Sequence, residues 1–190
     1  MVNCAGAWGN RIAAYLGEPV PLRSEAPMLM ITERLKPFLK PVLGAAGRLL
    51  SFKQFDNGTV LIGGGYRGRA EPDSNRTALD FTELRASAAT VGALFPGMGD
   101  VRIVRCWAGI EGVMPDAIPV VGPSGRAEGV YHAFGFSAHG FQLSPFTGVI
   151  MADLILRGRT PVPLEAFSID RFSDPSRATA AQETGLRAGP

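Results

Sequence analysis

The 190-residue sequence predicts an α+β fold with a mostly antiparallel sheet and a flanking helix, and three observations predict it. Two short β-type runs meet at Asp56-Asn57-Gly58, and Asn-Gly tolerates the positive φ that a tight hairpin turn demands. Helical periodicity is confined to three separate segments. Hairpins and helices are mixed along the chain, without the regular strand–helix–strand alternation of a parallel sheet.

The elements follow in order. Met1-Val2-Asn3 reads as the tail of a buried strand, and so short a strand needs neighbours. A helix is expected over 7–16, with Trp8, Ile12, Tyr15 and Leu16 on one face and Gly17 as its stop. Pro19, Pro21 and Pro27 mark a connection to a strand over 28–32, and residues 35–47 read as a loop broken by Pro37 and Pro41. Strands over 49–55 and 59–63 form the hairpin. Asp80 with Glu83 resembles a capping box for a helix over 80–95, with Leu84, Ala88, Val91 and Phe95 as its stripe. Strands over 101–110 and 130–134 come next. Ser144 as N-cap and Pro145 at the first helical position predict a last helix closed by Arg157 and Gly158, with Phe146, Val149, Ile150 and Leu154 on one side. The small, polar residues 174–190 are expected to be a disordered tail.

Composition narrows the function classes. Apolar residues make up 46% and charged residues 19%, enough for a real core, and 24 glycines with 15 prolines imply many tight turns. Nineteen basic residues against seventeen acidic argue against nucleic acid as a partner. Cys4 and Cys106 lack metal-ligand spacing, and with His132 and His139 the only histidines no metal site is expected. No membrane span or secretory signal is read, so a reduced, cytoplasmic setting is expected.

Few residues offer chemistry. Gly63-Gly64-Gly65-Tyr66-Arg67-Gly68 matches G-x-G-x-x-G, but turn material follows where a pyrophosphate site needs a helix. A strand end that lets backbone approach a neighbour or ligand is the better reading. Ser137 and His139, two apart in a turn, make a poor nucleophile and base. Glu111 and Asp116 read as solvated turn carboxylates rather than an acid–base pair. Gly135-Phe136-Ser137-Ala138-His139-Gly140-Phe141-Gln142 joins a strand to a helix N-terminus, where free N–H groups and the helix dipole favour an electron-rich ligand. A tight β–α turn with Phe136 and Phe141 in the core is the alternative.

Several blocks together resemble the C-terminal half of the FAD-dependent oxidoreductases of the D-amino acid oxidase and sarcosine oxidase superfamily. They are Val2 through Trp8, Cys106 through Gly112 with Met114-Pro115-Asp116 and Pro119 through Gly122, and Phe134 through Gln142. The runs Thr59 to Gly64 and Phe167 to Phe172 are similar too, so the resemblance spans about Val2 to Phe172. It implies FAD as cofactor, held by Ala5, Gly6, Phe136, Ser137, Ala138, His139, Gly140, Phe141 and Gln142, mainly through backbone. It also implies a division into 1–18 as a returning segment of the FAD domain, 19–125 as the substrate domain, and 126–173 as the C-terminal strand, flavin loop and helix of a Rossmann-like FAD domain.

Two departures shape the expected activity. The family's dinucleotide fingerprint has no counterpart here, and the substrate-pairing arginines of its amino-acid oxidases correspond to Glu111 and Ala138. The Gly-Ile-Glu-Gly-x-x-Pro-Asp pattern looks more like the β subunits of sarcosine oxidase and of dye-linked proline, hydroxyproline and opine dehydrogenases. The expected enzyme therefore oxidises a secondary amine, imino acid or amino acid by hydride transfer to flavin, alone or with other subunits of a heteromeric dehydrogenase. Glu111, Arg67 and Arg69 are the candidates for touching substrate, with surface solvation the favoured alternative for the arginines. The competing expectation is a truncated or split remnant without cofactor, acting as an interaction module.

Overall fold

A computed structural model describes residues 1–173 and divides the chain into two compact units. Among the described residues, one unit comprises Met1–Ser24 together with Glu111–Ser173, and the other comprises Glu25–Ile110. The expected tail lies outside the described residues. The family resemblance implies divisions at 18/19 and 125/126. The compact units divide at 24/25 and 110/111, and Leu22 and Met114 join Ala13, Val120 and Phe134 in the first unit's core.

In the Glu25–Ile110 unit, the long strand β2 (Arg23–Thr32) is central to an antiparallel sheet. The order is β3 (Leu43–Ala45), β4 (Arg48–Gln54), β5 (Val60–Gly63), β2, β6 (Arg67–Glu71), β7 (Arg76–Ala78), and β8 (Ile103–Ala108) also pairs with β2. Ala26, Met28, Met30 and Thr32 are buried at alternate positions. Helix α2 (Phe81–Leu94) covers this face with Leu84 and Val91, and Phe95 stacks on Phe52 at 4.4 Å. As its sequence signals, Asp80 caps it by accepting from the backbone of Thr82 (2.8 Å) and Glu83 (3.1 Å). The loop expected over 35–47 contains the short strand β3.

The other unit is built on a three-stranded sheet. Strand β1 (Val2–Asn3) runs parallel to β11 (Tyr131–Phe134), which pairs antiparallel with β10 (Val120–Pro123). His132 and Phe134 face α1 (Gly9–Tyr15), while Ala133 packs against α3 (Gly140–Arg157). The expected face of the first helix is corrected: Tyr15 is 90% exposed, and Gly9 and Ala13 are buried instead. A Cβ on Gly9 would overlap the Phe134 ring, so the helix approaches too closely for bulky residues. Among the described residues, no helix is long and apolar enough to cross a membrane.

The last helix also departs from its local signals. It starts at Gly140, so Ser144 is not its N-cap and Pro145 lies inside it. Pro145 has no N–H for the Phe141 carbonyl one turn back, and the Ser144 hydroxyl donates to that carbonyl at 3.0 Å. Ile150, Met151 and Leu154 face inward, whereas Phe146 and Val149 are exposed.

Candidate functional site

The loop after β11 is closely specified by its neighbours. Gly135 (φ +72°), Ser137 (+50°) and Ala138 (+71°) all take the left-handed conformation. For the two non-glycines this costs about 1–2 kcal/mol each, a strain that persists only where the surroundings over-determine the backbone. Strand β9 (Glu111–Val113) and the residue after it do so. Ser137 N donates to Gly112 O at 3.3 Å, and Ser137 Oγ accepts from Met114 N at 3.0 Å while donating to Gly135 O at 3.2 Å. Ala138 N donates to the Glu111 carboxylate at 2.5 Å. A Cβ on Gly135 would meet Met114 Sδ at 2.7 Å.

The loop delivers the chain into α3 with the helix's first backbone donors unspent. The first intrahelical bond runs from Leu143 N to His139 O, so the N–H groups of Gly140, Phe141 and Gln142 precede it, and no side chain caps them. They lie at the positive end of the helix dipole. Beside β9 lies the turn Gly6–Trp8, because a Cβ on Gly112 would sit 3.0 Å from Ala7 Cα and 3.1 Å from Gly6 O. The structure thus gathers Ala5, Gly6, Glu111 and residues 136–142 into one unit. Phe141 is not in the core; it is 97% exposed.

Arg67 and Arg69 lie on β6 in the other unit, Arg67 pairing with Glu25 (2.5 Å) and Arg69 with Glu71 (2.8 Å). The two turn carboxylates are not simply solvated. Glu111 holds Ala138, and Asp116 pairs with Arg171 Nε at 2.9 Å, with Arg171 also donating to Ile118 O at 2.6 Å. Ser137 and His139 form no dyad: Ser137 Oγ is spent on backbone and His139 is exposed.

One cluster has no counterpart among the sequence-based expectations. Asn3 Nδ2 donates to Gly9 O (2.9 Å) and lies 3.2 Å from His132 Nδ1, while Asn3 Oδ1 accepts from Ala5 N at 3.2 Å. With an amide N–H facing it, Nδ1 carries the lone pair, so His132 Nε2 carries the proton and donates to Glu18 Oε2 at 3.1 Å. Ser124 Oγ and Gly125 N donate to the same carboxylate at 2.6 and 2.7 Å. Burial pushes the Glu18 carboxyl upward, but the bonds from Ser124, His132 and Gly125 outweigh that and hold it below its ordinary value. The network fixes the Asn3–Ala5 turn that leads into Gly6. Its sequence signal is a polar residue, Asn3, which is the buried position of a two-residue strand.

The Gly63–Gly68 match joins β5 to β6, so it opens a strand and not a helix. Neighbouring protein explains its glycines. A Cβ would meet Leu29 Cδ2 at 2.6 Å from Gly63, Leu50 N at 2.5 Å from Gly64, and the Ala78 carbonyl from Gly68.

Residues 1–154 match the family model described as FAD dependent oxidoreductase, a span that includes β1, the Gly6–Trp8 turn, β9 and the 135–142 loop. The beta subunit of sarcosine oxidase from Rhizobium meliloti is 29% identical over 198 residues, covering all of this chain and 45% of its own length. Hydrogen cyanide synthase subunit HcnC of Pseudomonas protegens is 27% identical over 91% of this chain and 40% of its own length. The crystal structure of L-proline dehydrogenase from P. horikoshii superposes with a TM-score of 0.78 at 27% identity, over 90% of this chain and 46% of that one. The chain thus spans less than half the length of the relatives it matches. With the family model covering four fifths of it, the chain belongs to the FAD-dependent oxidoreductases of the D-amino acid oxidase family.

Proposed function

We propose that this chain supplies the ring-facing part of an FAD-dependent oxidoreductase that oxidises a secondary amine, imino acid or amino acid. The observation that carries the reading is the clamped 135–139 loop, which leads into the three uncapped backbone N–H groups of Gly140, Phe141 and Gln142 and is held by β9, the strand that also borders the Gly6–Trp8 turn. Those donors suit the electron-rich edge of a flavin ring, and a side-chain-free Gly140 leaves room for close approach. Ala5, Gly6, Phe136, Ser137, Ala138, His139, Gly140, Phe141 and Gln142 would hold the ring, chiefly through backbone. When bound, FAD supplies the two-electron acceptor for the C–H bond beside the amine nitrogen. Glu111 acts as a positioning residue through its bond to Ala138. Because Glu111 and Asp116 are both engaged, neither serves as a free base, and the substrate amine is taken up already neutral. Relatives that are named as components of sarcosine oxidase and opine oxidase support work within a heteromeric enzyme.

The test is to load the protein with FAD, mix it anaerobically with sarcosine, L-proline or glycine, and follow the visible flavin absorbance. Bleaching by a secondary amine, with flavin content and bleaching both reduced in Gly140→Val, is the expected result. A Cβ at Gly140 would lie 3.3 Å from the Phe136 side chain, so valine crowds the loop as well as the ring. Flavin-loaded protein that none of the three amines bleaches, or a Gly140→Val variant unchanged in both measures, would overturn the proposal. The interaction-module reading draws support from the outer face of α3, where Phe141, Phe146, Val149 and Leu156 are exposed. It predicts no flavin uptake at all.

A further inference from the structure

Past Glu33, the connection from β2 through β4 carries cations interleaved with exposed apolar side chains. Residues 34–55 contain Arg34, Lys36, Lys40, Arg48 and Lys53 and neither Asp nor Glu. The rest of the chain has fourteen basic against seventeen acidic residues, so the positive charge is concentrated here. Along residues 34–43 every fourth residue from Leu35 turns inward and the others are exposed. Leu35, Leu39 and Leu43 pack on the core around Phe52 and Val60, while Arg34, Lys36, Phe38, Lys40 and Val42 are exposed. Among the described residues none of the five cations pairs with a carboxylate. The strap is held in register by the buried Gln54 side chain, whose Oε1 accepts from Phe38 N (2.8 Å) and Leu39 N (3.1 Å) and whose Nε2 donates to Lys36 O (3.1 Å).

We propose that this strip docks on an anionic lipid surface. Charge complementarity calls for an anionic partner, and the composition selects among such partners. Three of the five cations are lysines, which the centres of protein interfaces deplete, whereas an anionic bilayer attracts Lys and Arg alike. Phe38, Val42, Leu49 and Phe55 are exposed beside those cations and are placed to enter the headgroup–acyl boundary. A row of outward residues on a pinned strap meets a broad surface without folding first. The contact is peripheral and independent of the flavin reading.

The test is co-sedimentation of the 190-residue protein at low salt with vesicles of phosphatidylcholine alone or of equimolar phosphatidylcholine and phosphatidylglycerol. Binding is expected only to the second, weakening as salt is raised. Lys36→Gln, Lys40→Gln and Arg48→Gln should each weaken it about fivefold, and the triple variant about a hundredfold. Phe38→Ser should weaken the portion that survives salt. Arg126→Gln with Arg159→Gln, which removes two cations outside the strip, should bind as the parent does. These side chains are exposed, and an unchanged melting temperature shows that each variant is folded. Equal sedimentation with phosphatidylcholine alone, or a triple variant that binds like the parent, would overturn the proposal. Retention on polyglutamate or duplex DNA without vesicle binding would do the same.

Discussion

Replacing Ser137 by alanine tests whether the loop's backbone is held by the contacts that surround it. The hydroxyl lies in a buried residue, accepts from Met114 N at 3.0 Å and donates to Gly135 O at 3.2 Å. Alanine leaves the φ of +50° in place, removes both bonds and strands a buried N–H and a carbonyl. At about 1–2 kcal/mol for each stranded group, the loss is roughly 2–4 kcal/mol. For a chain of this size each kcal/mol moves the melting temperature by about 2–4 °C. Urea unfolding followed by circular dichroism reads the difference, with Ser144→Ala on the exposed side of α3 as a comparison expected to lie nearer the parent. A companion change should act in the opposite sense. Ala138 sits at φ +71°, so Ala138→Gly should stabilise by about 1 kcal/mol by relieving left-handed strain. A Ser137→Ala variant within about 0.5 kcal/mol of the parent would refute the clamp, since ordinary surface changes fall in that range.

Glu18 gives the unit a pH dependence of definite sign. Its folded pKa is lowered, so its contribution is full above the unfolded value of about 4.3 and is lost as pH falls through the folded one. Unfolding free energy should decline on the acid side of that value, and Glu18→Gln should flatten this part of the curve. An unaltered acid limb in the variant would show that another group sets it. Because no free carboxylate base lies in the loop, reduction of the flavin-loaded protein should quicken with rising pH as the substrate's ammonium deprotonates. Stopped-flow rates across a pH series check this, and a rate that falls with rising pH would sink it.

Local signals specify the hairpin and α2. Asn57 Oδ1 accepts from Thr59 N at 3.0 Å and Gly58 sits at φ +91°, so two adjacent residues determine that turn. Asp80 caps its helix as its sequence signals because capping is a contact between near neighbours. The start of α3 is different: Ser-Pro is a good local start, and only the Ser144 bond to the Phe141 carbonyl shows how proline is tolerated farther in. The blocks resembling flavoenzymes point to the loop, but spacing does not reveal that Glu111, 27 positions upstream, clamps Ala138. The Glu18–His132–Asn3 network joins residues more than a hundred positions apart, and no local pattern marks such a pairing.

The Gln54 amide has a kinetic consequence. Its two acceptor lone pairs take Phe38 N and Leu39 N, and its two donors go to Lys36 O and Gly58 O, which leaves no capacity unused. Apart from the backbone bond from Leu35 N to Gly58 O, the strap amides of Phe38 and Leu39 are therefore protected by a single side chain and not by a ladder of independent rungs. When that side chain withdraws, both amides are released in one event while the neighbouring strands stay paired. Their solvent exchange should be correlated and faster than that of β4 and β5, marking a small cooperative opening whose hinge is one glutamine rotamer.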